Sequence, residues 1–367
     1  MGSDVVFGLE EAQRFAKAEA LWTELEGSRG GPFFTSATWM MTWLRLLPAG
    51  MTRHILIARR AGKPVAAAIL VPRRTTRRGL FSVSELHFNS TGDPEYDCAL
   101  IEHNGFAGHC DAPELWLGLS KWFCEGGMQA EELFIPGVEK PVTEMLASPN
   151  LLQTVRNVAA FRAPLRQLAE EGGFEASLSR NARQQLNRAK RDYRSSGELQ
   201  LDEARTIESA IAYFDELKRL HIRSWTRRSK PHAFRYAFFD EFHRALIAIG
   251  VPQRAVQLLR ISAGSRTLGY LYNFRYGNKI YAYQSGFEDS DPDFRPGYVS
   301  HAMAIESAMA EGAEEYDFLA GGNQLKRTFG RENYTMSWCT LRQAKLKFRA
   351  EAAVRYVAGR ITDGMRR

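Results

Sequence analysis

Apolar positions recur at helical spacing over residues 9–26 (LEEAQRFAKAEALWTELE) and 36–47 (SATWMMTWLRLL), with Ser36 placed to cap the second helix. Two β-rich runs follow, HILIARR (54–60) and PVAAAILVPRR (64–74). The short Gly-containing connection Ala61-Gly62-Lys63 between them predicts a hairpin. LFSVSELHF (80–88) reads as a third strand. A helix at 113–125, a strand at 132–136, a short helix near 139–147 and a strand near 151–161 complete the first stretch. Strands mixed with helices in this order indicate a mixed α/β layer structure.

The remainder repeats that plan. A basic helix over 180–194 (RNARQQLNRAKRDYR) and helices over 207–225 and 236–249 precede three consecutive strands at 255–264, 265–277 and 278–287. A turn-rich DSDPDFRPG leads to a helix from about 298 to 311, a strand at 314–320 (EEYDFLA), a strand at 335–343 and a basic helix from about 345. Helix, helix, three-strand meander, crossover helix, strand: this order occurs loosely in both halves without a residue-level repeat. The linker is expected near 160–175.

Charge sharpens the division. The 367 residues hold 49 Lys+Arg and 42 Asp+Glu, a net +7, but residues 1–160 carry 15 basic and 18 acidic side chains, whereas 161–367 carry 34 and 24. A −3 half joined to a +10 half suggests two domains with different duties, the second drawn to something anionic. Apolar residues at 44% and charged residues at 25% exclude a disordered or fibrous chain. Cys98, Cys110, Cys124 and Cys339 form no C-x-x-C pair, which argues against a zinc ribbon, a thioredoxin-like site or a disulfide scaffold. No secretory signal is visible at the start, and the longest apolar run, VAAAILV, is too short to span a bilayer. The expected location is therefore cytoplasmic.

Candidate chemistry gathers around GFEDSDPDFRPGYVSHAMAIESAMAEGAEEYDFLAGG. Pro296-Gly297 leads directly into an amphipathic helix, whose start offers unpaired backbone N–H groups to a pyrophosphate. The same residues also fit an ordinary Pro-Gly turn. There is no G-x-x-x-x-G-K-[ST] loop, no G-x-G-x-x-G after a strand, no H-E-x-x-H and no G-x-S-x-G. His232, His243 and His301 lack metal-ligand spacing, so no metal is expected.

The order YQSGF…RPG…AIESAMAEGAEEYDFLAGGNQLKRTFG resembles the acetyltransferase domain of CelD/BcsL-like proteins, within the GNAT superfamily. So do FEASLSRNARQQLNRAKR and LKRLHIRSW…AF upstream, and GPFFTSATWMMTWLRLL resembles the family's amino-terminal portion. A wider similarity is to Fem-type aminoacyl transferases, which pair two GNAT-like domains. The resemblance implies an acyl donor in a V-shaped gap between NKIYAYQSGF and EEYDFLA, its pyrophosphate on Arg295, Pro296, Gly297, Tyr298, Val299 and Ser300. Where the family commonly has Ser-Pro-Gly, this chain has Arg295-Pro296-Gly297, a turn that fits coenzyme A, carrier-protein phosphopantetheine or the end of a tRNA.

Acyl transfer to an amine needs a neutral nucleophile, a donor to the oxyanion and an acid for the leaving group. His221 and Asp317 are the base candidates. His221 stands at a matching family position, and it fits a helix-packing histidine equally well. Asp317 lies between aromatics on a predicted buried strand, where burial would raise its pKa, or it serves as an edge-strand aspartate bonded to a turn. Lys326 stands where the resemblance places a lysine for a phosphate or the tetrahedral intermediate. Leu325 replaces the tyrosine that often precedes it, and Tyr283 or Tyr281 is a substitute. Asp93, Tyr96 and Asp97 in NSTGDPEYD fit either a cationic acceptor or a polar turn. The run Arg180, Arg183, Arg188, Lys190, Arg191, Arg194 is a solvated helix face, or one turned to the donor.

The expected fold is thus α/β (α+β): two tandem GNAT-like domains, each a mixed, mostly antiparallel sheet flanked by helices. Residues 1–160 form the acceptor side and 161–367 the donor side. The expected activity moves an acyl group from acyl-CoA or an acyl-phosphopantetheine carrier protein to an amine or hydroxyl of a cell-envelope, polysaccharide or secondary-metabolite acceptor. Acceptors of this kind are small molecules or are linked to glycan or lipid. The alternatives are tRNA-dependent aminoacyl transfer of Fem type and an idle scaffold that binds a carrier protein or RNA. The carboxy-terminal helix, with Lys345, Lys347, Arg349 and Arg355, fits a solvated face first, and otherwise peripheral membrane or RNA contact.

Overall fold

Hydrophobic spacing alone reads residues 9–26 as one helix, but strand pairing divides them into β1 (Val6–Glu11) and α1 (Phe15–Glu26). Leu9-Glu10-Glu11 fits either period, and pairing with the next strand along its whole length decides in favour of β1. The computed structural model describes residues 5–12, 15–26, 31–77, 79–99, 101–108, 112–288, 294–348 and 351. Arg349 and Arg355 of the expected terminal helix, and residues 289–293 of the turn-rich stretch, lie outside the described residues.

Helix α2 (Ala37–Leu46) starts at Ser36, whose hydroxyl accepts the Trp39 amide at 3.2 Å. Strands β2 (His54–Arg60) and β3 (Lys63–Arg77) meet through Ala61 and Gly62, with φ of 50° and 79°. Two left-handed residues give the turn whose twist matches its strands. Strands β4 (Phe81–Phe88) and β5 (Ala107–Gly108), helix α3 (Pro113–Cys124), β6 (Glu132–Glu139), α4 (Lys140–Met145) and β7 (Leu151–Pro164) complete the first plan. Short helices α5 (Leu165–Glu170) and α6 (Phe174–Ser177) lead to α7 (Arg180–Arg194) and a strand that hydrophobic spacing does not reveal, β8 (Leu199–Glu203). The plan then recurs as α8 (Ile207–Arg227), α9 (Ala237–Gly250), β9 (Val256–Ala263), β10 (Arg266–Tyr276), β11 (Lys279–Phe287), α10 (Pro296–Ala310), β12 (Glu315–Ala320), α11 (Gln324–Phe329) and β13 (Glu332–Gln343).

All described strands join one sheet in the order β1-β2-β3-β4-β6-β13-β7-β12-β11-β10-β9-β8, with β5 on β3. Two parallel pairs, β4–β6 and β11–β12, sit symmetrically about an antiparallel centre. That centre is an exchange: β13 lies between β6 and β7, and β7 lies between β13 and β12. Their register runs unbroken from Glu332↔Arg162 to Gln343↔Leu151, and near its middle the Ser337 hydroxyl donates to Asn157 at 2.8 Å. A buried cluster also crosses between the halves: Phe33 stacks on Phe274 at 4.4 Å and Trp39 meets Phe242 edge-on at 4.8 Å. Interdigitated aromatics of this kind fix the relative position of the halves as firmly as a domain interior does.

On α7, Ala182, Leu186, Ala189 and Tyr193 face inward at helical spacing. Arg180, Arg183, Arg188, Arg191 and Arg194 are exposed, whereas Lys190 is buried between Glu175 and Glu306. Among the described residues, no helix is long and apolar enough to cross a membrane.

Candidate functional site

Strands β11 and β12 pair over only three positions, from Lys279↔Glu315 to Tyr281↔Asp317, and then part. At that point the β10–β11 register slips from Asn273↔Ala282 to Tyr272↔Gln284, which leaves Tyr283 as the extra residue of a bulge. Bulges disrupt the ladder locally and re-aim the chain, often beside active sites. In the first half β4 and β6 part in the same way after Glu85↔Glu132 to His87↔Phe134. There the β3–β4 register is unbroken from Leu70↔Phe88 to Arg77↔Phe81. The two gaps are alike in topology and different at the backbone.

Asp317 lies at the mouth of the second gap, fully buried. One carboxylate oxygen accepts His103 Nε2–H at 2.8 Å, the other accepts the Leu319 amide at 2.7 Å, and Tyr334 donates its hydroxyl at 2.8 Å. His103 comes from the connection between β4 and α3, and its Nδ1 faces Glu139 on β6 at 3.2 Å. With a carboxylate at each ring nitrogen the imidazole carries both protons. Burial pushes its pKa down, but Asp317 and Glu139 outweigh that and raise it to about 9. Burial likewise works against ionised Asp317, and the His103 hydrogen bond and charge overcome it, holding the carboxyl below its usual range. Glu139 is lowered chiefly by its bond to His103. His103 and Leu319 both have left-handed backbones, φ 48° and 62°, uncommon for residues with side chains and concentrated at functional sites.

Beside His103, Glu102 Oε2 accepts the Ala320 amide at 2.6 Å. From the opposite side Lys326 Nζ donates to the carbonyls of Ala320 and Leu319, at 2.6 and 3.3 Å. Gly321, with φ 103°, turns the chain out of β12, and Asn323 caps α11 by accepting the Lys326 amide at 2.9 Å. Burial raises the pKa of Glu102, offset in part by the Ala320 amide and Lys326. Burial lowers that of Lys326. A carboxylate and an amine therefore bracket one residue at the end of β12, each displaced toward its neutral form.

Two cavities flank this connection. One of about 660 Å³ lies between the halves, bordered by His103, Glu139, Tyr281, Lys279 and Glu314. The other, about 240 Å³, opens at the first-half gap and is lined by Trp39, Trp43, Asn89, Ser90, Tyr96, Asp97, Ala99, Ile101, Glu102, Phe134, Pro136 and Trp338. Tyr96 and Asp97 thus line a cavity, while Asp93 serves the loop, accepting the Glu95 amide at 3.0 Å.

Asp317, Lys326 and Tyr283 come together: the Tyr283 hydroxyl donates to the Ala99 carbonyl, on the same connection as Glu102 and His103. His221 stands apart on α8, stacked on Trp225 at 5.1 Å, its Nδ1–H donating to the Ser285 carbonyl of β11 at 3.1 Å. Burial lowers its pKa to about 4, so its ring is neutral near pH 7. Arg295 to Ser300 form the start of α10. Arg295 is left-handed (φ 47°) and donates to Gln185 at 2.6 Å, Pro296 opens the helix, and no side chain caps its first turn. A Cβ at Gly297 would lie 3.1 Å from the Phe287 ring, so only glycine fits without adjustment. Tyr298 reaches Thr328 of α11 at 3.3 Å, and Val299 is buried. The buried Ser300 hydroxyl has no partner among the described residues. An unpaired buried hydroxyl costs about 1–3 kcal/mol, so Ser300→Ala should leave the melting temperature unchanged or raise it, and a fall would show a hydrogen bond there.

Glu102, His103, Glu139 and Tyr334 are not singled out by sequence reasoning. IEHNG carries a Glu-His pair, but only the fold shows that it meets a strand 214 residues further on. No group of His, Cys, Asp and Glu suited to a metal ion occurs among the described residues.

Residues 180–327 match the acetyltransferase (GNAT) domain family. A search of curated proteins finds no match. Among solved structures, the chain is similar to FemX at 12% identity, covering 89% of this chain and 95% of that one with a TM-score of 0.57. It is similar to the C-terminal domain of a putative lysylphosphatidylglycerol synthetase from Agrobacterium fabrum at 10% identity, 95% and 96% coverage and TM-score 0.53. L-PGS from Bacillus licheniformis follows at 9% identity, 92% and 96% coverage and TM-score 0.53. At such identities the likeness is one of fold. Residues 180–327 thus carry a GNAT acetyltransferase domain, whose activity class is acyl transfer, and the two halves of the sheet share one strand plan.

Proposed function

We propose that the chain transfers an acyl group from an acyl-thioester, acyl-CoA or an acyl carrier protein, to an amine, with the chemistry at the β11–β12 gap. The observation that carries this reading is the meeting, at the mouth of that gap, of Glu102 and His103 from the first half with Asp317 and Lys326 from the second. The Tyr283 bulge supports the choice of gap, since a broken ladder leaves a backbone N–H for a developing oxyanion and the first-half gap has no such break. Arg295 to Ser300 would seat the donor's phosphates on the uncapped start of α10.

In this reading residues 1–160 form the acceptor side and 161–367 the donor side. His103 and Asp317 are positioning residues: their mutual bonds leave neither free to take a proton, and they hold Glu102 at the gap. Lys326 stabilises negative charge near Ala320. His221 supports β11 from behind.

The exposed arginines of α7, beside the Gln185 that holds Arg295, favour a second reading in which the donor is a charged tRNA. A melting panel with coenzyme A, acyl-CoA species, acyl carrier protein and charged tRNA separates the two. At about 100 times its dissociation constant a ligand adds about 2.7 kcal/mol, and a clear rise with a thioester donor is expected. A rise with charged tRNA alone would replace the thioester reading, and no rise with any of them would end both.

A further inference from the structure

The 240 Å³ cavity at the first-half gap is not used by the donor side, and its walls have a definite chemistry. Trp39, Trp43, Tyr96 and Trp338 surround it with aromatic faces and edges, and Asp97 and Glu102 supply carboxylates. Among the described residues, no Lys, Arg or His lines it. Asp97 is committed to the loop, accepting the Thr91 and Gly92 amides at 2.7 Å each. Glu102 is the carboxylate shared between this cavity and the reaction gap: it lines the cavity and holds the Ala320 amide at the end of β12. Ala99, on the same wall, accepts the Tyr283 hydroxyl of β11. The wall therefore touches both parting strands, β11 through Tyr283 and β12 through Ala320.

We infer that this cavity is the acceptor pocket, that it takes a small primary amine with an apolar or aromatic body, and that Glu102 binds and deprotonates its ammonium group. Aromatic faces attract a cation, and a nearby carboxylate gives it a charge-assisted hydrogen bond. The volume corresponds to about eight waters at ~30 Å³ each, below the usual ~300–1,000 Å³ of pockets for drug-sized ligands, so a compact amine fits.

This inference rests on the proposed acyl transfer for its chemistry and not for the binding itself. The ammonium gives one proton to the Glu102 carboxylate. The neutral nitrogen attacks the thioester carbonyl carbon, a C–N bond forms and the C–S bond breaks. The sulfur leaves as thiolate and takes the proton back from Glu102, and the amide nitrogen loses its remaining extra proton to water. Burial, which raises the proton affinity of Glu102, brings it closer to that of an amine and suits it to this exchange.

The test is a tryptophan-fluorescence titration of the full chain, without any acyl donor, using 2-phenylethylamine, 2-phenylethanol and 3-phenylpropanoate. Loss of a hydrogen bond to a charged group is worth about tenfold or more in affinity. The amine should bind at least ~10-fold more tightly than the alcohol, and the carboxylate should bind most weakly. Glu102→Gln should remove the amine's advantage and leave the alcohol's affinity as it is. Ile101→Phe, which narrows the cavity without altering charge, should weaken both and so guards against misfolding of the Gln variant. Equal binding of amine and alcohol, or an unchanged preference in Glu102→Gln, would overturn the pocket assignment. Amine binding in a protein that answers to no acyl donor would leave the pocket standing and refute the transfer reading instead.

Discussion

Asp317→Ala should be among the most damaging single substitutions in the chain, at a cost of about 3–5 kcal/mol of folding stability. The carboxylate is fully buried and satisfies three donors: His103, the Leu319 amide and Tyr334. Its removal takes away the acceptor of the Tyr334 hydroxyl, leaves the Leu319 amide unpaired in the interior and deprives the His103 imidazolium of one of its two counter-charges. Because these donors come from both halves, the loss should appear as one cooperative fall in melting temperature. Asp317→Asn, which keeps the shape and an acceptor oxygen, should lose less. A melt for Asp317→Ala within about a degree of wild type would show that the seam is not held by this carboxylate.

The second large effect is on pH dependence. The His103 pKa is raised from the ordinary 6.5 to about 9, because Asp317 and Glu139 flank its ring. A raised pKa stabilises the fold fully below about pH 6.5, and that contribution disappears as pH climbs through about 9. A shift of that size is worth on the order of 3 kcal/mol. Asp317 and Glu139 act in the opposite direction: their lowered pKa values give stability above the ordinary carboxylate range that is lost on acidification. The melting temperature should therefore be highest on the mildly acidic side of neutrality and fall between pH 6.5 and 9. His103→Gln should start lower and stay flat across that interval. Parallel slopes for the two proteins would mean that His103 is not the group responsible.

Much of the second half is readable from sequence because its signals are local. Pro296 fixes a helix start, Gly321-Gly322-Asn323 fixes the turn and cap that present Lys326, and a carboxylate among Tyr316, Phe318 and Leu319 is out of place on an apolar strand unless something pairs with it. What pairs with Asp317 is not local. His103 and Tyr334 reach it through the connection after β4 and through the exchanged strand β13, and neither pairing leaves a periodicity in the chain. The exchange of β7 and β13 is hidden for the same reason, since both read as strands whichever sheet position they take. β1 is mistaken for helix because its half-exposed edge has no strong alternation, and β8 is too short to announce itself. The acidic-aromatic NSTGDPEYD stretch suggests a cation, but only the fold shows that Tyr96 and Asp97 share a cavity with Trp39, Trp43 and Trp338.

In the proposed function the transfer site is assembled from both halves, with Glu102 from the first and Lys326 from the second acting on the same reacting centre. A double-mutant cycle on kcat/KM, with wild type, Glu102→Gln, Lys326→Met and the double variant, tests it most directly. It uses the thioester found in the melting panel and an aryl-alkyl amine, with native melting curves required of each variant. Each single variant should lose most of the activity, and the double variant should be scarcely worse than the poorer of the two. Wild-type turnover in Glu102→Gln, or losses that simply multiply in the double variant, would contradict it.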